Sequence, residues 1–242
     1  MKNKKQLVSK SETLVNFILD KSGSMSSIQD STISGFNEYL GTLKNDGNKY
    51  SFSLVLFDTN IIQKYTNTSI KDVQRLDKET YRPDGNTALY DAICSTIESV
   101  KNSIKENQKV LTIIMTDGEE NSSKEYTQVQ LKEKITTLEK TGKWTFVFLG
   151  ANQDAFLAAQ KFGVSQMNAS NFSSTNAGMT RSMNVLASNT ANFAMNVGSS
   201  TNTFFSKTDQ QNLEKDDAIS KHFSTLGQKS WDVRKKKLLD NS

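Results

Sequence analysis

The chain has 242 residues, with 30 Lys and Arg against 26 Asp and Glu for a formal net charge of +4, one cysteine and one histidine. That length suits one ordinary domain with an appendage, and so mild a charge does not by itself point to nucleic acid. A lone cysteine excludes a disulfide framework within the chain, and no stretch approaches the roughly 18 apolar residues of a spanning helix.

The start, Met1-Lys2-Asn3-Lys4-Lys5, is basic without an apolar signal core, so export through a cleaved leader is not expected and the protein reads as cytoplasmic. The apolar run Thr13-Leu14-Val15-Asn16-Phe17-Ile18-Leu19 predicts a buried strand, and Asp20-Lys21-Ser22-Gly23-Ser24 follows it directly. In an extended or gently looped segment alternate side chains point the same way, so Asp20, Ser22 and Ser24 converge. Oxygen-only donors suit a hard divalent cation, Mg²⁺ or Mn²⁺, over a softer metal that asks for Cys or His. Taken alone, the pattern more often means a polar turn capping the next helix.

Residues 26–43 carry Ile28, Ile33, Phe36, Tyr39, Leu40 and Leu43 at close to helical spacing, which predicts a helix with one face on a sheet. Residues 50–57 read as a strand, Asp58-Thr59-Asn60 as a turn, and residues 61–65 as an antiparallel edge strand formed by a hairpin. Residues 70–82 are polar and partly helical. The cluster Pro83-Asp84-Gly85-Asn86-Thr87 is a turn opening a helix over residues 88–105, with Thr87 at or near its N-cap. Cys94 falls inside that helix and reads as a small buried hydrophobe.

Lys109-Val110-Leu111-Thr112-Ile113-Ile114-Met115-Thr116 predicts a central parallel strand, and its carboxyl end delivers Asp117, followed by Gly118-Glu119-Glu120. Glu119 and Glu120 read as rim charges or first-turn helix residues favoured by the helix dipole. A helix over 126–140, a strand over 144–149, a helix ending near Phe162-Gly163 and a short last strand over 164–167 complete the alternation. Met179, Met183 and Leu186 are helically spaced, so a closing helix spans 175–196. Residues 198–203 read as a flexible junction and 209–226 as a polar helix. The basic run Arg234-Lys235-Lys236-Lys237 reads as a solvated helix end or frayed tail and is only weak support for nucleic acid, and the solitary His222 reads as a surface or packing residue. The layout is a doubly wound α/β fold with a mostly parallel sheet and one antiparallel edge strand. In such sheets ligands collect outside the carboxyl ends of the strands, where Asp20, Thr87 and Asp117 can meet.

The set Asp20-x-Ser22-x-Ser24, Thr87 and Asp117 resembles the metal-ion-dependent adhesion site of von Willebrand factor A domains. The surrounding words Phe17-Ile18-Leu19-Asp20-Lys21-Ser22-Gly23-Ser24-Met25, Gly85-Asn86-Thr87-Ala88-Leu89-Tyr90-Asp91-Ala92 and Met115-Thr116-Asp117-Gly118-Glu119 are similar to bacterial and phage members. The resemblance implies the Rossmann-like form of this fold, with a domain over residues 1–198 and a polar C-terminal extension over 199–242, partly helical or mobile. It also implies a complete site in which Asp20, Ser22, Ser24, Thr87 and Asp117 hold Mg²⁺, directly or through water, with Mn²⁺ as a substitute. A partner's Asp or Glu would then complete the metal's shell. Intracellular relatives serve in multiprotein assemblies, so a non-enzymatic adaptor or assembly factor is expected, with no membrane role.

The alternative is a metal-dependent hydrolase acting on a phosphate substrate. Asp20 at a strand end also resembles the nucleophile of haloacid-dehalogenase-type phosphatases, but Ser22 stands where their second aspartate would act as acid and base. The partner's identity and the oligomeric state are left open by the sequence.

Overall fold

The structure is a computed structural model that describes residues 12–151, 154–196 and 203–214. Strand and helix alternate along the chain: β1 Glu12–Asp20, α1 Gln29–Asn45, β2 Tyr50–Phe57, β3 Ile61–Ser69, α2 Leu89–Lys101 and β4 Gln108–Thr116. There follow α3 Gln128–Glu139, β5 Trp144–Gly150, α4 Ala155–Phe162, β6 Ala169–Asn171 and α5 Asn176–Met195. The six strands form one sheet in the order β3-β2-β1-β4-β5-β6. Every pairing is parallel except β2 with β3, so the one antiparallel strand lies at an edge as the hairpin pattern predicts.

The near-continuous apolar runs of β1, β2, β4 and β5 follow from burial on both faces. On one face, Val15, Phe17 and Leu19 pack with Phe36, Tyr39 and Leu40 of α1 and Met179, Met183 and Leu186 of α5. On the other, Leu14, Ile18 and Ile114 pack with Ile93 and Ile97 of α2 and Leu131 and Ile135 of α3. The helically spaced methionines are therefore core, and Cys94 is buried among the second set. Helices α1 and α5 approach closely: a Cβ on Gly35 would stand 2.8 Å from Cγ of Met183, so glycine is what the contact admits. The Tyr39 hydroxyl and Thr190 Oγ1, 3.1 Å apart, bond across the same interface.

Several boundaries differ from the sequence reading for local reasons. The first helix is preceded by a separate 3₁₀ turn, Gly23–Ile28, so the α-helix proper starts at Gln29. Helix α2 stops at Lys101, short of Ile104. The last strand is not at 164–167. There the Ser165 side chain accepts from the Met167 N–H and turns the chain into a 3₁₀ segment, Gln166–Asn168, so strand pairing begins only at Ala169.

After α5 the described chain resumes at residue 203 and returns to the body. Phe204, Phe205 and Leu213 are buried in the core on the α1–α5 face, and residues 207–214 are helical. The remainder of the helix expected over 209–226, His222, the basic run at 234–237 and most of the junction at 198–203 lie outside the described residues. Among the described residues no helix is long and apolar enough to cross a membrane.

Candidate metal centre

Strands β1 and β4 are neighbours in parallel register, with Leu19 opposite Met115, so their carboxyl ends bring Asp20 and Asp117 to the same place. Asp20 is the last residue of β1 and fully buried. Its Oδ1 accepts the Ser22 N–H at 2.6 Å, and its Oδ2 accepts the Thr116 hydroxyl. The Tyr81 hydroxyl donates to the Asp20 main-chain carbonyl at 2.6 Å and fixes the strand end from below.

Ser22 stands at the N-cap of the 3₁₀ turn in extended conformation, yet its side chain makes no capping bond. The capping reading of Asp-x-Ser-x-Ser therefore fails here. The Ser22 hydroxyl lies instead 3.1 Å from that of Ser24, and Ser24 Oγ donates to Asp117 Oδ1 at 2.5 Å. Ser24 is exposed, whereas Ser22, Thr87 and Asp117 are buried, so the cluster opens to solvent on the Ser24 side.

Thr87 lies just outside the N-cap of α2, which is Ala88. Asn121 grips it on both sides: the Thr87 N–H donates to Asn121 Oδ1 at 2.9 Å, and its carbonyl accepts the Asn121 N–H at 3.1 Å. Its hydroxyl borders Gly118, as that of Ser24 does. A Cβ on Gly118 would stand 2.9 Å from Thr87 Oγ1 and 3.6 Å from Ser24 Oγ, so the missing side chain at 118 leaves room for the two hydroxyls. All five residues picked out in the sequence thus come together.

The electrostatics of this cluster favour a cation. Burial pushes the Asp20 carboxyl up to about 6 against the pull of Thr116 and Ser22, and the Asp117 charge raises it further. Burial also raises Asp117, with Ser24 opposing. Two carboxylates that destabilise one another are held with neutral donors around them. The adjacent Lys21 ammonium is paired with Asp58. Among the described residues no group of three or more His, Cys, Asp or Glu that could hold a metal occurs, so any ion here relies on hydroxyls beside the two carboxylates. That donor set fits a hard divalent cation that keeps part of its water shell.

Other contributors escaped the sequence reading. Thr116 was visible only as a strand residue, though its hydroxyl is what holds Asp20. Asp91, in the first turn of α2, accepts the N–H groups of Lys124, Glu125 and Tyr126 and pins the loop that follows Asp117. Glu120 is more than a rim charge. Its carboxylate accepts from the Tyr90, Ser122 and Ser123 N–H groups, capping α2 from a neighbouring loop. Lys21 and Asp58 carried a signal of their own, a charged residue directly after each of two apolar strands.

No protein-family model matches the sequence. No curated protein matches it either. Solved structures match it in fold. A von Willebrand factor type A structure from Catenulispora acidiphila is 16% identical with a TM-score of 0.55, covering 76% of this chain and 43% of that one. Proximal thread matrix protein 1 from the mussel byssus, with a zinc-occupied MIDAS motif, is 15% identical with a TM-score of 0.56, covering 75% of this chain and 46% of that one. The von Willebrand factor domain of the type V pili tip protein Mfa5 from Porphyromonas gingivalis is 12% identical with a TM-score of 0.56, covering 79% of this chain and 99% of that one. The chain spans less than half the length of the first two. It has the fold of the von Willebrand factor A domain.

Proposed function

We propose that this chain is a metal-dependent protein-binding module. Asp20, Ser22, Ser24, Thr87 and Asp117 hold a divalent cation, Mg²⁺ with Mn²⁺ as a substitute, and the ion takes an Asp or Glu side chain from a protein partner. The observation that carries this reading is the convergence of three hydroxyls on two buried carboxylates whose ionisation the protein itself opposes. Facing two carboxylates and otherwise neutral hydroxyls, a bound cation keeps water-filled positions, which is where an external carboxylate enters. The zinc-occupied MIDAS of the mussel structure supports a divalent ion in this fold. The chain's own residues supply the rest: Thr116 and the Ser22 N–H orient Asp20, and Asn121 orients Thr87. Binding without turnover, inside the cell and as part of an assembly, is the role that fits.

Calorimetry with Mg²⁺ and Mn²⁺ on the wild type and on a Ser22→Ala, Ser24→Ala double variant tests the site, and capture of a partner with and without chelator tests the function. The expected result is binding by the wild type, none by the variant, and a partner released by chelator. A partner held equally well in chelator would overturn the metal mechanism. Turnover of a phosphate substrate that Asp117→Ala abolishes would replace it with the hydrolase reading.

A further inference from the structure

Ser22 and Ser24 follow β1, Asp117 follows β4, and Thr87 comes from a loop that belongs to neither strand. The first two segments are tied directly, through Ser24 to Asp117 and Thr116 to Asp20. The Thr87 loop is held differently. The Asp84 N–H donates to the Lys21 carbonyl at 2.9 Å, the Gly23 N–H to the Gly85 carbonyl at 3.0 Å, and the Ala88 N–H to the Asp58 carbonyl at 3.0 Å. The Asn86 N–H donates to Thr59 Oγ1 at 2.9 Å. These four anchors lie on two short turns, residues 21–23 and 58–59, while Asn121, in the loop after β4, holds Thr87 itself. The turns are joined to each other by the Lys21 N–H on the Phe57 carbonyl at 2.7 Å and by the Lys21–Asp58 ion pair. Asp58 Oδ1 also accepts the Asn60 N–H at 2.6 Å, which fixes the carboxylate.

Lys21 is 8% exposed and Asp58 5%. A pair so removed from water is a poor source of stability, because desolvating both charges offsets most of their attraction. The best-attested use of such a pair is to fix registry. We propose that the Lys21–Asp58 pair is a positioning device for the metal centre: it locks the turn after β1 to the turn after β2, and so sets the Thr87 hydroxyl against those of Ser22 and Ser24. This rests on the metal-binding reading above. Neither side chain is itself a ligand. The pair acts through the loop that it anchors, as partners of metal ligands do elsewhere, where their loss costs about 10- to 100-fold in affinity.

The test is the double variant Lys21→Met, Asp58→Asn. It leaves no uncompensated buried charge, and Asn keeps an oxygen for the Asn60 N–H, so the protein should fold. Two readouts are taken on the full chain: hydrogen exchange at the amides of Asp84, Asn86 and Ala88 without metal, and Mn²⁺ affinity by calorimetry. The expected result is faster exchange at those three amides with the β1 and β4 amides unchanged, together with a fall of about 10-fold or more in Mn²⁺ affinity. Unchanged exchange overturns the proposal even if affinity falls, because the pair would then act by charge alone. Faster exchange with unchanged affinity overturns it too. If the wild type itself binds no Mn²⁺, the metal reading fails, and local loss of protection at 84–88 still upholds the pair as the anchor of that loop.

Discussion

Asp20 is the residue on which the site's energetics turn. Its folded pKa, about 6, lies above the ordinary 3.8, so between those values the folded protein holds a proton that the unfolded chain has released. Stability from this group is therefore greatest at low pH, falls as pH rises from about 4 to about 6, and is lost above that. At neutral pH the metal-free protein carries a cost of about 3 kcal/mol by the usual conversion. A bound cation favours the ionised carboxylate and removes that cost. Asp20→Asn should thus make the protein more stable in chelator at pH 7, since the amide can still accept from Ser22 and donate toward Thr116. The same variant should gain nothing from added Mn²⁺, whereas the wild type should gain most above pH 6. Thermal unfolding of both proteins with and without Mn²⁺ checks this, and a less stable Asn variant in chelator would refute it. The five candidate site residues were legible because each sits beside a strand end or a helix start. Thr116 and Asn121 were not, because what they do depends on which chain segment lies opposite.

At the level of elements, periodicity located the strands and helices well where burial is one-sided or complete, as in β4 with its run Lys109 to Thr116. It failed where side chains bond to nearby backbone. Ser165 turned an expected strand into a 3₁₀ segment, and the loop between β4 and α3 has no apolar pattern at all. That loop is ordered by Asp91, which takes up its N–H groups from α2, and by its own Glu120, which takes up those of Ser122 and Ser123 locally. Asp91 is 7% exposed and accepts three of them, so Asp91→Ala strands donors that water reaches only in part. A loss of about 1–3 kcal/mol in denaturant unfolding is expected. Faster exchange at the Lys124 and Tyr126 amides should accompany it. Equal stability would mean that solvent replaces the carboxylate fully.

For the whole molecule, the low apolar fraction of 35% reads as a packed front and a polar remainder, with an extension beginning at 199. The described part of that extension does more than trail. Phe204 and Phe205 are adjacent apolar residues in a polar stretch, too few to set up a period, so their role was illegible until the fold supplied a surface for them. Both are buried beside α5. The Phe205 N–H donates to the Met167 carbonyl at 2.9 Å, and that of Phe204 to Asn168 Oδ1 at 2.8 Å. Gln210 adds bonds to the carbonyls of Gln166 and Ala169. The return therefore closes the α1–α5 core and braces the short last strand from outside. Phe205→Ala should destabilise by about 3–5 kcal/mol, as for other buried aromatic truncations. Removing everything after residue 196 should cost at least as much, because Leu213 goes with the two phenylalanines. The candidate metal site lies at the carboxyl ends of β1 and β4, and none of the contacts described for it involves residues 203–214. Mn²⁺ affinity measured well below the unfolding midpoint should therefore stay within about twofold for Phe205→Ala, as expected for sites that share no partners. A large fall in affinity there would show that the α5 side of the core and the metal end of the sheet are coupled.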